Sequence, residues 1–560
     1  MSEYTIQDWQ RCFARKALNE KEHRFDRLYP LICRREWIEF ALDRVLSNTG
    51  SRTPGLDGIS RKDLRDEAHR SRFIAELQAE LQARTYRPQP VKRTYIPKAN
   101  GKMRPLGIPT MKDRTVQMLL KMVLEPIYES DFLPVSNGFR PGRCTMDCIE
   151  PLRGWVNNRN GYFWVIEGDV KGCFDHIDHH VLMRLLRQRI VDRHVLGLIE
   201  RFLAAGVMEE GRLLPTREGV PQGGICSPLL ANIYLHELDL WWQESYNFER
   251  HQRGKRRKRG LGNVCYLRYA DDFILLCNGT EAQAAEVRDN LRDFLRDELH
   301  LELSMEKTAV THVKEGFDFL GYHIRWRTPS NTKPWLRITP TEKNLEQLRD
   351  TIRDMTGHRY NRDLALYKFQ AMNRLLRGWI NYYRHVNTKV IAQKLDWWVN
   401  DRMVRWLVHK HRVGIRRVLG MYKVRQPSKR GGRNNLAVKG TDGRLIYLYR
   451  MADVPITLYF PRKRSNPYLG EQSTEVEEPQ TPWPEQAWKG YHSEPNRELY
   501  HAVLARDGYR CCRCGSNEDL HVHHRTAQAL GGEDNPDNLE TLCAECHRQT
   551  DNYGGATRRK

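Results

Sequence analysis

The stretch VCYLRYADDFILLC (264–277) sets two short apolar runs on either side of adjacent aspartates. Runs of this kind, rich in aromatic and branched residues around a polar pair, predict a β-hairpin with Asp271 and Asp272 at its tip. Neighbouring carboxylates repel each other, so each favours solvent or a cation. Turn chemistry alone also favours aspartate. A second stretch weighs toward the cation. YFWVIEGDVKGCFDHID (162–178) reads as an apolar strand ending at Asp169, and a carboxylate at a strand end can face a neighbouring hairpin tip. Asp169, Asp271 and Asp272 together would offer the oxygen ligands that Mg²⁺ prefers. Two such ions about 4 Å apart can activate an attacking hydroxyl and stabilise a departing pyrophosphate.

Around this pair of stretches the bulk numbers set bounds. A chain of 560 residues exceeds what one hydrophobic core supports, so two to four domains are expected. No run approaches the roughly 18 apolar residues of a membrane span, and the first residues are polar. A soluble, intracellular (cytoplasmic) protein with no membrane partner is the expectation. The formal charge of +22 and pI near 9.5 favour a polyanionic partner, bound in a salt-dependent way through released counterions. The basic run Arg253, Lys255, Arg256, Arg257, Lys258, Arg259 reads either as a solvated loop or as a nucleic-acid contact.

Composition shifts mark the organisation. The proline- and glutamate-rich stretch 466–489 reads as an extended linker. Near 335 a second boundary is expected, where Thr339-Pro340-Thr341-Glu342 looks like a capping box with proline at the first helical position. Leu345, Leu348, Ile352 and Met355 follow at helical spacing. From there to 425 the chain reads as helical and basic, with LLRGWINYYRH (375–385) and LDWWVNDRMVRWLVHKHR (395–412) interleaving aromatics with cations. Such residues pack a helical core and also stack on RNA bases. Glycine turns and short apolar runs over 436–460 read as strands.

Cysteine usage is uneven. Eight of the 13 cysteines are scattered through the first 277 residues, as expected of buried thiols. The other five cluster at the end. Cys511-x-x-Cys514 and Cys543-x-x-Cys546 form two clamp pairs, the pattern of one tetrahedral Cys₄ zinc site. Zinc would fold a module of about 60 residues that has too little core of its own. Cys512 is the leftover thiol.

Taken together these stretches resemble a known family. YADD (269–272) is similar to the signature turn of reverse transcriptases, and GDVKGCFDHI to their first palm motif. RTYIPKANGKMRPLGIPTMKDR (93–114), SNGFRPGR (136–143), EGVPQGGICSPLLANIYLHELD (218–239), LELSMEKT (301–308) and FDFLGY (317–322) follow the order that family requires. With TPGLDG (53–58) upstream and RGWINYYR (377–384) downstream, the combination is most similar to group II intron-encoded proteins. The resemblance implies that Asp169, Asp271 and Asp272 are catalytic ligands of two Mg²⁺ ions. It implies that Phe174, five residues after Asp169, screens the sugar 2′ position, and that Gln222 lies against the incoming nucleotide. Lys102 and Arg104 match basic residues that contact the triphosphate or the template backbone. Ala270 matches the small residue of the turn near the primer terminus.

The tail LHVHHR (520–525) with Asn538 and His547 resembles the HNH nuclease motif, a zinc-bound ββα unit. The match makes His524 the general base, a role suited to neutral imidazole. His523 and His547 become ligands of a catalytic divalent ion, and Asn538 the residue that orients the histidine and its loop. Neighbouring strand residues face opposite sides, so His521, which shares a face with His523, competes for the ligand role.

The expectation is thus an α+β multidomain protein. It comprises right-hand fingers and palm (1–335), a helical thumb or maturase X domain (336–425), a DNA-binding region (426–465), a linker (466–489) and an HNH module (490–560). Its implied function is that of an RNA-directed DNA polymerase and maturase of a mobile intron. It would nick target DNA and extend the nick from dNTPs, with group II intron RNA and target DNA as partners. The rivals are a splicing cofactor with decayed enzymatic activity and a reverse transcriptase recruited to a defence or retron-like role.

Overall fold

A computed structural model describes residues 4–97, 103–209, 212–214, 216, 218–306, 308–330, 333–357, 363–427, 432–460, 466–469, 503–504, 506–508, 510–516, 520–524, 538–543 and 546–547. The chain divides into two compact units, residues 1–482 and 483–560.

The first unit begins with helices α1 (Ile6–Asn19), α2 (Tyr29–Ile32), α3 (Arg35–Ser47) and α4 (Glu67–Gln82). The hairpin β1 (Val91–Pro97) and β2 (Met103–Ile108) leads into α5 (Met111–Glu129), buried along almost its whole length. Then come α6 (Met146–Trp155), β3 (Trp164–Gly168), α7 (His179–Arg189), α8 (Arg193–Ala204), β4 (Val207–Glu209), β5 (Arg212–Leu214), α9 (Ser227–Tyr246) and α10 (Arg250–Lys258). The quoted hairpin is β6 (Val264–Tyr269) and β7 (Asp272–Cys277), followed by α11 (Glu281–Leu299) and β8 (Val310–His312). A three-stranded sheet, β9 (Phe317–Phe319), β10 (Tyr322–Arg327) and β11 (Trp335–Pro340), precedes α12 (Glu342–Met355), α13 (Ala365–Tyr383), α14 (Lys389–His411) and α15 (Ile415–Tyr422). The strands β12 (Lys423–Gln426), β13 (Arg433–Lys439) and β14 (Leu445–Tyr447) follow. The second unit holds the antiparallel pair β15 (Leu520–His524) and β16 (Leu539–Cys543).

The four-stranded sheet β6-β7-β3-β8 positions the site. Its strands alternate as their sequence requires, but both faces are buried. Ile166, Tyr266, Phe273 and Leu275 join the larger core beneath α9 and α11. Val165, Leu267, Ile274 and Leu276 join a second core shared with α6 and the β9–β11 sheet. A sheet covered on both sides reads as continuous apolar runs, which is why the aspartates stand out at its end.

One fully buried charge among the described residues of the sheet violates that pattern. Arg268 sits fully buried in β6, and its Nη2 donates to Asp239 Oδ2 at 2.5 Å and its Nε to Oδ1 at 2.8 Å. Its Nη1 donates to Asn232 Oδ1 at 2.9 Å and to the Ala270 carbonyl at 3.0 Å. Tyr266 donates to the same Asp239 carboxylate at 3.0 Å. Burial pushes the Asp239 carboxyl up, yet the Arg268 guanidinium outweighs it and holds the group below its ordinary range.

Several expectations shift in detail. Thr341, not Thr339, caps α12, accepting from the Asn344 amide, and Pro340 closes β11 opposite Tyr322. The strand hydrogen-bonding extends two residues further than the proline signal suggests. Arg250–Lys258 is a helix rather than a loop, started by a reciprocal Glu249–Gln252 capping box and burying none of its residues. The segment 466–469, at the start of the stretch read as a linker, is docked. Asn466 donates to Ser130 at 2.8 Å, Tyr468 donates to Glu125 at 2.6 Å, and Leu469 is buried. Of 436–460, part is strand and Met451–Asp453 is a 3₁₀ turn. Cys12 and Cys144 are exposed rather than buried.

Leaving Arg268 without its partner should be costly, since breaking a buried ion pair typically costs ~3–5 kcal/mol. Asp239→Asn is expected to lower the urea midpoint of the first unit by a corresponding amount. An unfolding free energy within ~0.5 kcal/mol of wild type would mean the pair contributes no more than a surface contact.

Candidate active sites

The three aspartates meet because two strand ends adjoin. β3 pairs antiparallel with β7, Gly168 opposite Phe273, so Asp169 follows β3 beside Asp272, the first residue of β7. β6 pairs with β7 with Tyr269 opposite Asp272, leaving Ala270 and Asp271 as a two-residue turn. Ala270 takes φ +60°, at the first central position, where glycine is ordinarily found. The Arg268 guanidinium holds this turn by its bond to the Ala270 carbonyl.

Glycines allow the approach. A Cβ on Gly138 would lie 2.1 Å from the Ala270 nitrogen, and one on Gly168 would lie 1.9 Å from the Phe273 ring. The SNGFRPGR loop is itself braced by the buried pair Arg140–Glu129 at 2.7 Å, with Arg140 also donating to the Leu133 and Ser136 carbonyls. Behind Asp169, the LELSMEKT segment runs alongside, its Ser304 amide donating to the Asp169 carbonyl at 2.8 Å.

The cluster is electrostatically uneasy. Burial pushes the Asp272 carboxyl up to about 6, and the charges of Asp271 and Asp169 push it the same way. Burial also raises Asp271, against its own backbone amide and Arg104, while Asp169 adds to the rise. Carboxylates raised by burial and by one another favour a cation between them. Arg104, on β2, is the side chain from the first hairpin whose charge reaches both. Lys102 lies outside the described residues.

Phe174 stands half-buried in the turn after Asp169, edge-on to the exposed Phe139 ring at 6.2 Å. Val220 donates its amide to the Phe174 carbonyl at 2.7 Å, and Gly107 donates to the Gln222 carbonyl at 2.7 Å. The loop bearing Gln222 is therefore tied to both the Phe174 turn and β2. The Gln222 amide donates to both Asp175 oxygens at 3.1 Å. Sequence reading missed Asp175, Phe139, Asp239 and Arg268. Asp175 lies within a quoted motif, but nothing in the sequence marks its partner 47 residues away.

In the second unit Cys511, Cys514, Cys543 and Cys546 bring their sulfurs within 4.8 Å of one another. Cys514 and Cys543 are 3.6 Å apart, against about 3.8 Å for two thiolates on a tetrahedral zinc with ~2.3 Å bonds. The Cys546 amide points at the Cys543 sulfur at 3.5 Å, a donor that suits a thiolate. His523 is buried, its ring centroid 5.0 Å from that of His547, and His521 lies 5.3 Å from His547. Burial, then the His521 charge, lowers the His547 pKa, which favours the neutral, metal-binding form. His524 closes β15 opposite Leu539; its side chain lies outside the described residues. Asn538 immediately precedes β16 and is half-buried.

The reverse transcriptase (RNA-dependent DNA polymerase) family model matches residues 96–324, which contain all three aspartates. The group II intron maturase-specific domain matches 345–422, and the HNH endonuclease family matches 511–552. Group II intron-encoded protein LtrA of Lactococcus lactis subsp. cremoris is 32% identical over 477 residues, covering 71% of this chain and 77% of its own length. The chain belongs to the group II intron-encoded proteins. Protein YkfC of Escherichia coli K12 is 39% identical over 369 residues, covering 60% of this chain and 93% of that relative. Nuclear intron maturase 1 of Arabidopsis thaliana is 29% identical over 309 residues, covering 41% of this chain. This member of the family is therefore an intron-encoded reverse transcriptase and maturase with an HNH endonuclease domain. The readings as a decayed splicing cofactor or a defence enzyme are not favoured. Among the described residues no helix is long and apolar enough to cross a membrane.

If the four cysteines hold the second unit together through a metal, Cys514→Ser or a strong chelator should open the chain beyond residue 490 to protease while sparing the first unit. Equal protection of wild type and Cys514→Ser would contradict a metal shell.

Proposed function

We propose that Asp169, Asp271 and Asp272 hold two magnesium ions and that this chain performs target-primed reverse transcription of its own intron RNA. Bound there, the ions would activate the primer 3′-hydroxyl and stabilise the departing pyrophosphate. The observation that carries the reading is the register of β3 against β7, which sets Asp169 beside the 271–272 turn. In this reading the β6-β7-β3-β8 sheet is the palm, and the β1–β2 hairpin belongs to the fingers within 1–335. Residues 336–425 form the thumb or maturase X domain, 426–465 the DNA-binding region, 466–489 beyond its docked start the linker, and 490–560 the HNH domain.

Side chains supply position and selection. Phe174 presents a ring where a ribose 2′-hydroxyl would clash, so deoxynucleotides are favoured. Gln222, its amide directed by Asp175, lies against the incoming nucleotide. Arg104 and Lys102 bind the triphosphate, and Arg104 at the same time moderates the acidic cluster. Ala270 leaves room for the primer end. The turn stays rigid because Arg268 holds it from below, and pre-set geometry of this kind lowers the cost of reaching the transition state.

In the HNH domain, His524 takes the proton of the attacking water and Asn538 orients it. His523 and His547, whose rings approach within 5.0 Å, hold a divalent ion at the scissile phosphate. The four cysteines hold a structural zinc. The basic first unit binds the intron RNA in the cytoplasm. That RNA inserts itself into one DNA strand, the HNH domain nicks the other, and the polymerase extends the new 3′-hydroxyl.

Purified protein with a primed RNA template, dNTPs and Mg²⁺ is expected to make cDNA, and Asp271→Ala to make none above background. His524→Ala should stop nicking of the second DNA strand yet still extend a supplied primer. Undiminished cDNA from Asp271→Ala would reject the polymerase assignment, and nicking at the normal rate by His524→Ala would reject the base.

A further inference from the structure

Helix α13 carries LLRGWINYY of the motif LLRGWINYYRH, with Arg384 as its C-cap. Leu376, Ile380 and Tyr383 bury its apolar face. Asn373, Arg377, Asn381 and Arg384 recur at steps of four, four and three, the spacing that stacks side chains along one helical stripe. That stripe borders residues 447–455, and between them lies an open cavity of about 520 Å³. The size falls within the roughly 300–1,000 Å³ of small-molecule sites.

The walls are cationic and polar. Arg377, Arg384 and Arg450 line the cavity against one carboxylate, Asp453. Arg433 already holds that carboxylate, and Arg450 stands 3.9 Å from it, so the cavity keeps net positive charge. The Nε atoms of Arg384 and Arg450 are covered from solvent, that of Arg450 facing the Asp453 carboxylate at 3.9 Å. The guanidinium groups of the arginines that line the cavity carry further N–H donors that an anion can take. Tyr449 is fixed nearby. Asn373 donates to the Tyr447 carbonyl at 2.8 Å and accepts from the Tyr449 amide at 2.8 Å. The Arg377 guanidinium lies 5.2 Å from the Tyr449 ring centroid. Asn381 is exposed. Its amide offers one acceptor and two donors, the complement of a base edge.

We propose that this cavity receives a single unstacked nucleotide from a strand bound by the protein. Its phosphate takes the donors of Arg384 and Arg450, its base packs against the Arg377–Tyr449 pair, and Asn381 meets the base edge. Anchored aromatic and arginine planes suit any splayed base. The inference rests on the reading of the basic first unit as nucleic-acid-binding and adds which chemical unit is taken and where.

The test uses the full-length protein with a short labelled single-stranded RNA, the DNA of the same sequence, and an RNA carrying 4-thiouridine for photo-crosslinking. Arg384→Ala is expected to weaken binding about tenfold and to lower the salt slope by ~0.7 for the lost phosphate contact. Asn381→Ala, at an exposed position, should weaken binding several-fold with an unchanged slope, so folding loss is not the cause. Crosslinks should map to the peptide holding Tyr447 and Tyr449. A larger variant effect on RNA than on DNA assigns the nucleotide to the RNA, and the reverse assigns it to a DNA strand. Wild-type binding with both variants within twofold, and crosslinks elsewhere, would overturn the cavity alone. Absence of binding by the wild type would overturn the nucleic-acid reading beneath it.

Discussion

Three carboxylates held together at adjoining strand ends, against their own repulsion and partly out of water, are the constraint on which the first unit depends. Nothing in a strand pairing favours such a cluster. Burial and mutual charge raise Asp272 to about 6, so the arrangement stands only because the surrounding structure enforces it. Functional sites often store strain of this kind. Here the enforcement is visible beneath the turn, where Arg268 spends its guanidinium on Asp239, Asn232 and the Ala270 carbonyl. A buried ion pair adds little stability over an apolar one. Its use here is positional, fixing an alanine in a left-handed conformation so that the next two residues present their oxygens.

The same logic extends outward. The loop of Gln222 is laced to the Phe174 turn and to β2 by backbone hydrogen bonds, and Gln222 itself is aimed by Asp175. Motifs separated by more than a hundred residues thus form one rigid frame around the acidic cluster. The second unit solves a different problem. Its described core is small, Leu542 packed with Cys511 and Cys543 and, besides them, Val503 and Leu539 buried, so a shared metal would substitute for apolar burial.

Much of this was legible in the sequence, for stated reasons. The hairpin could be read because both faces of its sheet are buried, leaving Asp271 and Asp272 as the break in two apolar runs. Two CxxC pairs announced the four-sulfur cluster because metal geometry restricts their spacing. Arg268 was not legible: a lone cation in an apolar strand looks like an exception until Asp239, on a distant helix, is placed beneath it. The start of α12 was misjudged because Pro340, a good first helical residue, is equally good at the end of an edge strand. The basic run Arg253–Arg259, open to reading as a solvated loop or a nucleic-acid contact, gives no sign of the helix it largely forms, because a stretch with no buried face carries no periodic signal. Docking of 466–469 was invisible because its contacts, Tyr468 on Glu125 and Asn466 on Ser130, reach across more than three hundred residues.

The most direct measurement is anomalous diffraction from Mn²⁺ in crystals of the protein with a primed template and a non-reactive dNTP analogue. Two anomalous peaks beside the carboxylates of Asp169, Asp271 and Asp272 are expected, both weakened in Asp271→Asn. Peaks confined to other carboxylates, with the acidic cluster empty of metal, would contradict it.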